Sequence, residues 1–309
     1  MAVLLPCYNE EAAIAATVAG FRVALPGATI YVYDNNSRDG TRAAAEAAGA
    51  VVRTERVQGK GAVVRRMFAD VDADVYVMAD GDATYDAASA PAMVARLLDE
   101  QLDMVVGSRI EKAQAAYRRG HRFGNAVLTG MLARLFGRSF TDILSGYRVF
   151  SRRFVKSYPA LSTGFEIETD ICVHALELRM PVGEMETPYF ERPEGSISKL
   201  STYRDGWRIA RTMVNLYRSE RPPLFYGAIA AVVALVAVIL AVPLLVDYLR
   251  TGLVPRFPTA ILITGLMIVA VLCVFAGLIL DTVTKGRREI KRLAYLSIAA
   301  PSRAPTAGA

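Results

Sequence analysis

Two aspartates flank one glycine at Asp80-Gly81-Asp82, directly after the apolar run Val75–Ala79. Carboxylates spaced this way at the end of a strand can face one ligand. Their hard oxygens suit Mg2+ or Mn2+, ions that keep few protein ligands and bridge to substrate phosphates. A cation held there would neutralise a departing diphosphate. The same tripeptide is also an ordinary turn, so its chemistry depends on what else converges on it. Upstream, Asp34 follows a second apolar run, Thr29–Tyr33, and precedes Asn35, Asn36, Ser37, Asp39 and Gly40. Asp34 can accept from a nucleobase N–H, while Asp39-Gly40-Thr41 can cap the next helix.

Gln58-Gly59-Lys60-Gly61 precedes a helical segment bearing Arg65 and Arg66. Glycines let backbone N–H groups approach an anion, and the lysine adds a point charge. The spacing is not that of a Walker P-loop. Arg118, Arg119, His121 and Arg122 form a basic cluster ahead of another helix. Such a run is either a solvated surface or a set of partners for a phosphate. Glu166, Glu168 and Asp170 alternate; on a helix, Glu166 and Asp170 would share a face and Glu168 would not. His121 and His174 read as packing or surface residues. Cys7, Cys172 and Cys273 are scattered, which suits a reducing compartment and indicates neither a disulfide framework nor a zinc site.

These residues need a frame. Ala2–Leu5, Thr29–Tyr33, Ala50–Arg53, Val75–Ala79 and Met104–Val106 read as strands. Ala12–Ala24, Thr41–Ala48, Ala62–Asp70 and Pro91–Gln101 read as helices. Strand–helix alternation predicts an α/β fold with a mostly parallel sheet covered on both faces. Ligands of such sheets bind beyond the carboxyl ends of the strands, where Pro6–Glu11, Asp34–Gly40 and Asp80–Asp86 fall. Further on, Gly120–Phe136 and Phe165–Arg179 read as helices, Gly183–Tyr189 as a strand, and Arg192–Lys199 as a Gly/Ser-containing loop.

The chain has 309 residues, 53% of them hydrophobic, and a formal charge of +6. The apolar excess is concentrated in two uncharged runs, Leu224–Val246 and Thr259–Leu280. At about 1.5 Å per residue, each can cross a hydrocarbon core roughly 30 Å thick. Arg204, Arg208, Arg211, Arg218 and Arg221 precede the pair, Lys285, Arg287, Arg288, Lys291 and Arg292 follow it, and Arg250 and Arg256 lie between. The positive-inside rule then puts both termini in the cytoplasm, and anionic lipid headgroups are the simplest partner of the basic flanks. No nucleic-acid-binding motif is present. The expected organisation is a cytoplasmic domain over 1–200, an amphipathic juxtamembrane helix over 201–222, a two-helix transmembrane hairpin over 223–281, and a basic tail over 282–309 with a disordered end.

In order along the chain stand VLLPCYNEE at Val3–Glu11, Asp34 with Ser37–Thr41, Gly59-Lys60-Gly61, Asp80-Gly81-Asp82 and Gly107-Ser108-Arg109. Asp142 with SGYR at Ser145–Arg148, and Arg192 with GSISK at Gly195–Lys199, complete the series. This ordered set resembles glycosyltransferase family 2, in its polyprenyl-phosphate (dolichyl-phosphate-like) sugar synthase branch. The resemblance spans about residues 2–200 and implies a GT-A fold and an inverting transfer from a nucleotide-sugar to polyprenyl phosphate.

On that resemblance, Pro6, Tyr8, Glu10, Asp34 or Asn35, Lys60 and Gly81 would hold the nucleotide-sugar. Asp80 and Asp82 would hold Mg2+ or Mn2+. Arg118, Arg119 and Arg122 would meet the lipid phosphate, and Arg122 would act in catalysis with Asp80 and Asp82. Arg192 and Lys199 would lie on a loop over the donor, with Glu166 and Glu168 near the sugar pocket. Asp82-Ala83-Thr84-Tyr85-Asp86 lacks the glutamine common in mannosyl and glucosyl members, so a hexose and an N-acetylhexosamine both stay open. The expected setting is the cell inner membrane, as a multi-pass protein with room for a homo-oligomer. Transfer to a glycan or protein, and a non-catalytic membrane adaptor that binds nucleotide-sugars, are the alternative functions.

Overall fold

The computed structural model describes residues 1–111, 129–134, 136–137, 140–160, 164, 166–191 and 202–301, excepting the side chains of 111 and 202–210. The chain divides into two compact units, Met1–Ile209 with Ile290–Ala309, and Ala210–Glu289.

The first unit is built on a seven-stranded sheet. Its strands are β1 (Ala2–Cys7), β2 (Thr29–Asp34), β3 (Val51–Thr54), β4 (Val75–Met78), β5 (Met104–Glu111), β6 (Arg148–Ser151) and β7 (Val182–Tyr189), in the order β3-β2-β1-β4-β6-β5-β7. Strands β1 to β4 pair in parallel, as do β5 and β7, while β6 runs antiparallel between β4 and β5. Every residue of β1 and β4 is buried, which is why both read as unbroken apolar runs rather than alternating ones.

Helices α1 (Glu11–Ala24), α2 (Thr41–Ala47), α3 (Lys60–Asp70), α4 (Ala90–Asp99), α5 (Arg152–Ser157) and α6 (Ile167–Glu177) accompany the sheet. Ala13, Ile14, Thr17, Val18 and Phe21 form the buried stripe of α1, a spacing that follows the helical period. Val3, Leu5, Val32, Val77, Val105 and Val149 pack with Ile14, Phe21, Met93 and Leu97 in one cluster. Phe68 meets Phe150 at 5.6 Å and Phe150 meets Phe154 at 4.9 Å in a separate aromatic group. Full burial of each such side chain contributes about 1.5–3 kcal/mol.

Strand β6 was not expected from the sequence. It is four residues long and opens on Arg148, whose side chain is fully buried. Its guanidinium donates to the carbonyls of Ser145 at 2.9 Å and Ile143 at 2.6 Å. Hydrogen bonding thus keeps a charged residue inside a strand whose pattern does not announce it.

The last turns of α9 (Phe257–Leu296) also belong to the first unit, which includes Ile290–Ala309. Lys291 Nζ pairs with Glu177 Oε2 at 2.7 Å, Arg292 donates to the Leu178 carbonyl at 2.8 Å, and Tyr295 donates to Asp103 Oδ2 at 2.8 Å. Asp103 is fully buried and also accepts from Ser151 Oγ at 2.7 Å and from Arg153. Lys291 and Arg292 were expected to face lipid headgroups; their charges are instead used against α6 and the residue after it.

The second unit holds most of α7 (Thr202–Glu220), all of α8 (Pro222–Thr251) and α9 up to Glu289. Both α8 and α9 are long and apolar enough to cross a membrane, and only 11% of each apolar window is buried. The helices outrun the apolar runs, so residues 252–256 alone connect them. Within this unit Glu220 is buried and takes Arg287 at 2.9 Å and Arg288 at 2.5 Å.

Candidate active site

The parallel register sets Cys7 of β1 beside Asp34 of β2. The turns that leave these strands are bound together. Asn9 N–H donates to Ser37 Oγ at 2.9 Å, Asn9 Oδ1 accepts from Arg38 N–H at 2.8 Å, and Glu10 N–H donates to Thr41 Oγ1 at 2.8 Å. Asp34 is buried and accepts from Ser37 N–H at 3.3 Å, closing its own turn. Pro6 is buried at the end of β1, Tyr8 is partly exposed on the turn that follows, and Glu10 is buried just before α1. Burial pushes the Cys7 thiol pKa up, and Glu10, Asp80, Asp34 and Asp82 raise it further. Several acids named from the sequence therefore lie near this thiol.

Asn35, expected at the nucleotide, fastens the loop ahead of α3 with its side chain. Its Nδ2 donates to the carbonyls of Glu55 and Val57, both at 2.8 Å, and its Oδ1 accepts from Gly59 N–H at 2.7 Å. The side chain is committed to the loop that launches α3, and so to the position of Lys60.

Lys60 is the first residue of α3. Its Nζ lies 2.5 Å from Asp80 Oδ1 and 2.6 Å from Glu168 Oε1 on α6, with the lysine side chain 11% exposed, Asp80 29% and Glu168 6%. Burial lowers the lysine pKa, but Asp80 and then Glu168 outweigh it and the net shift is upward. The group stays an ammonium throughout the working pH range. Gly146 closes on this pair: a Cβ there would meet Asp80 Oδ2 at 2.8 Å and Lys60 Nζ at 3.1 Å. Tyr85 Oη accepts from Gly146 N–H at 2.8 Å and fixes that approach.

Gly81 lies over the Cys7 thiol, where a Cβ would come within 2.3 Å of Sγ. Asp82 is buried and accepts from Thr84 Oγ1 at 2.6 Å. Between them Ala83 adopts a positive φ of 58°, a strained conformation for a residue with a side chain. Two carboxylates of one turn are thus held in fixed places at the carboxyl end of β4. Asp80 already faces a cationic group, and the site is suited to charge of that sign. Among the described residues no group of three or more His, Cys, Asp or Glu could hold a metal. A two-carboxylate set fits a divalent ion that takes its remaining ligands from water and phosphate.

A second ion pair ties β5 to the segment ahead of β6. Arg109 meets Asp142 with two bonds, at 2.6 and 2.8 Å, and its guanidinium lies 5.4 Å from the Tyr189 ring centroid. Ser145 Oγ donates to the Gly107 carbonyl at 2.6 Å. The GSR and SGYR motifs signalled these residues, but not that they fasten to one another. Glu166 turns to its own loop and accepts from Gly164 N–H at 3.2 Å, while Glu168 joins Lys60. Arg118, Arg119, Arg122, Arg192 and Lys199 lie outside the described residues.

Comparison with known proteins agrees with this arrangement. The profile of glycosyl transferase family 2 matches residues 2–158. The chain is 31% identical to glycosyltransferase AglJ of Haloferax volcanii over 297 residues, covering 95% of this chain and 97% of that protein. It is 28% identical to the dolichyl-phosphate hexose transferase of the same organism, over 72% of this chain and 95% of that one. Among solved structures, glucosyl-3-phosphoglycerate synthase from Mycobacterium tuberculosis, in complex with Mn2+, UDP and glucosyl-3-phosphoglycerate, superposes with a TM-score of 0.54. It shares 23% identity, over 70% of this chain and 78% of that one. The mixed sheet, the acidic turn after β4 and these likenesses agree: the chain is a GT-A-fold protein and belongs to glycosyl transferase family 2.

Proposed function

We propose that the chain transfers a hexose or N-acetylhexosamine from a UDP- or GDP-linked donor to polyprenyl phosphate, inverting the anomeric carbon and releasing the nucleoside diphosphate. The observation that carries this is the convergence of Asp80, Asp82 and Lys60 at the carboxyl end of β4, in a chain with two helices apolar enough to cross a membrane. Likeness to a dolichyl-phosphate hexose transferase supports the acceptor. Mn2+ and UDP in the mycobacterial fold neighbour support the donor class and the cation.

Glu10 and Asp34, with Pro6 and Tyr8, receive the nucleoside. Asp80 and Asp82 hold Mg2+ or Mn2+, which when bound supplies charge neutralisation to the leaving diphosphate. Lys60 meets a phosphate oxygen, and Glu168 orients sugar hydroxyls. Arg118, Arg119 and Arg122 receive the lipid phosphate, and Arg192 and Lys199 cover the donor. The acceptor needs no dedicated base. The second pKa of a phosphate monoester is about 6, so it arrives largely as a dianion. The protein's task is to bring two anions together, which positioned cations accomplish.

The excess of Arg and Lys outside the apolar pair supports a reading with both termini in the cytoplasm, and the inner membrane is the setting proposed with it. A polyprenyl tail then stays in the bilayer while its phosphate reaches the site. The test is to incubate membranes holding the full chain with polyprenyl phosphate and a panel of UDP- and GDP-sugars, and to weigh the lipid products. One donor should yield a polyprenyl-phosphate-sugar. Binding of a donor with no turnover would mark a non-catalytic adaptor and overturn the proposal.

A further inference from the structure

Lys60 is the residue of the site whose placement is least like that of a simple phosphate ligand. It is shared between a nearly buried carboxylate, Glu168, and a partly exposed one, Asp80. An approaching ligand can reach only the second of these. We propose that Lys60 is a resident counter-cation. In the donor-free enzyme its ammonium takes the side of Asp80 that a divalent cation needs, and it yields that side only when a diphosphate arrives to accept it.

The inference rests on the functional reading above and concerns how the site loads. With Nζ at 2.5 Å from Asp80 Oδ1, a divalent cation on the same carboxylate would sit beside a like charge, and the repulsion weakens its binding. A nucleoside diphosphate reverses the balance, because its oxygens offer the ammonium a second anionic partner. Lysine can make that transfer, since its charge rides on a flexible four-carbon stem. The contact with Glu168 limits the swing, so the ammonium pivots rather than leaves. Glu168 Oε2 has no hydrogen-bond partner among the described residues. Gly146 also fits: its missing side chain is what lets the loop lie against both members of the ion pair. Cation and diphosphate therefore bind as a pair, each raising the affinity of the other by the same factor.

The test measures Mn2+ binding by electron paramagnetic resonance on the full chain in detergent, with and without UDP or GDP. Wild type should bind Mn2+ at least about tenfold more tightly with its nucleotide than without, within the usual range for coupled sites. Lys60→Met should bind Mn2+ at least about tenfold more tightly than wild type in the absence of nucleotide, and should lose most of the coupling. Lys60→Met/Glu168→Gln, which removes the buried carboxylate left without its partner, should behave alike and covers the case in which the single variant does not fold. Equal Mn2+ affinity in nucleotide-free and nucleotide-loaded wild type overturns the inference with no variant needed. Unchanged or weaker nucleotide-free Mn2+ binding in a folded variant overturns it as well. No Mn2+ binding by wild type even with nucleotide overturns the proposed cation site itself, and this inference with it.

Discussion

The side-chain carbonyl of Asn35 accepts the backbone N–H of Gly59 at 2.7 Å, so the residue that follows β2 determines where α3 begins and where Lys60 stands. The same side chain gives both of its N–H bonds to the loop, at Glu55 and Val57.

Asn35→Ala should therefore act on the site without touching a ligand. It leaves the buried Glu55 carbonyl and the partly buried Val57 carbonyl and Gly59 N–H unmatched, at about 1–3 kcal/mol. Thermal unfolding should fall by a corresponding amount, and the donor KM should rise more than kcat falls. A variant with wild-type stability and wild-type KM would show that the loop holds itself.

Asp82→Ala should abolish transfer. Thr84→Val is the subtler test, since it removes only the hydroxyl that donates to Asp82 Oδ1 at 2.6 Å. Loss of such a supporting bond lowers metal affinity or activity by about 10–100-fold. Metal titration of the activity measures it, with EDTA expected to stop the reaction and Mg2+ or Mn2+ to restore it.

Tyr295→Phe probes the segment at the end of α9. Its hydroxyl donates to the fully buried Asp103, and its own pKa is pushed up to about 12 by burial and by that bond. Asp103 keeps Ser151 and Arg153 after the change, so the cost should be about 1–2 kcal/mol, read as a lower unfolding temperature. An unchanged unfolding temperature would show that the segment adds nothing to the first unit.

His174 sets an acid limit. It is buried against Phe154 and Tyr158, and burial, helped by the charge of Lys291, lowers its pKa from 6.5 to about 3. The unfolded chain takes up this proton near its ordinary pKa while the folded chain refuses it. The unfolded state thus binds more protons in that window, and stability falls as pH drops from 6.5 toward about 3. His174→Phe should flatten that part of the stability–pH curve; an identical slope would remove His174 as its source.

Much of this was legible because it is local. Strands β1 and β4 are buried throughout and so read as apolar runs, and carboxylates directly after a strand point to its ligand-binding end. Strand β6 is hard to read because Arg148 opens it, and the backbone carbonyls of Ile143 and Ser145 help make that burial tolerable. Glu168 was recognisable as one acid among several, but its partner Lys60 lies on a distant helix, and no spacing encodes a pair so far apart in the chain. The loop bonds of Asn35 could not be read either, since an amide that binds a loop and one that binds a base look the same in a sequence. The basic tail was read by charge alone, and charge does not reveal that Lys291 turns toward Glu177.

The most direct measurement supplies the labelled nucleotide-sugar to proteoliposomes of the full chain, prepared with and without polyprenyl phosphate, and follows the label by mass and by anomeric configuration. Label should enter the lipid fraction only when polyprenyl phosphate is present, as an inverted sugar on its phosphate. Label that moves equally well without the lipid phosphate, or that ends on a glycan or protein, would contradict the acceptor proposed here.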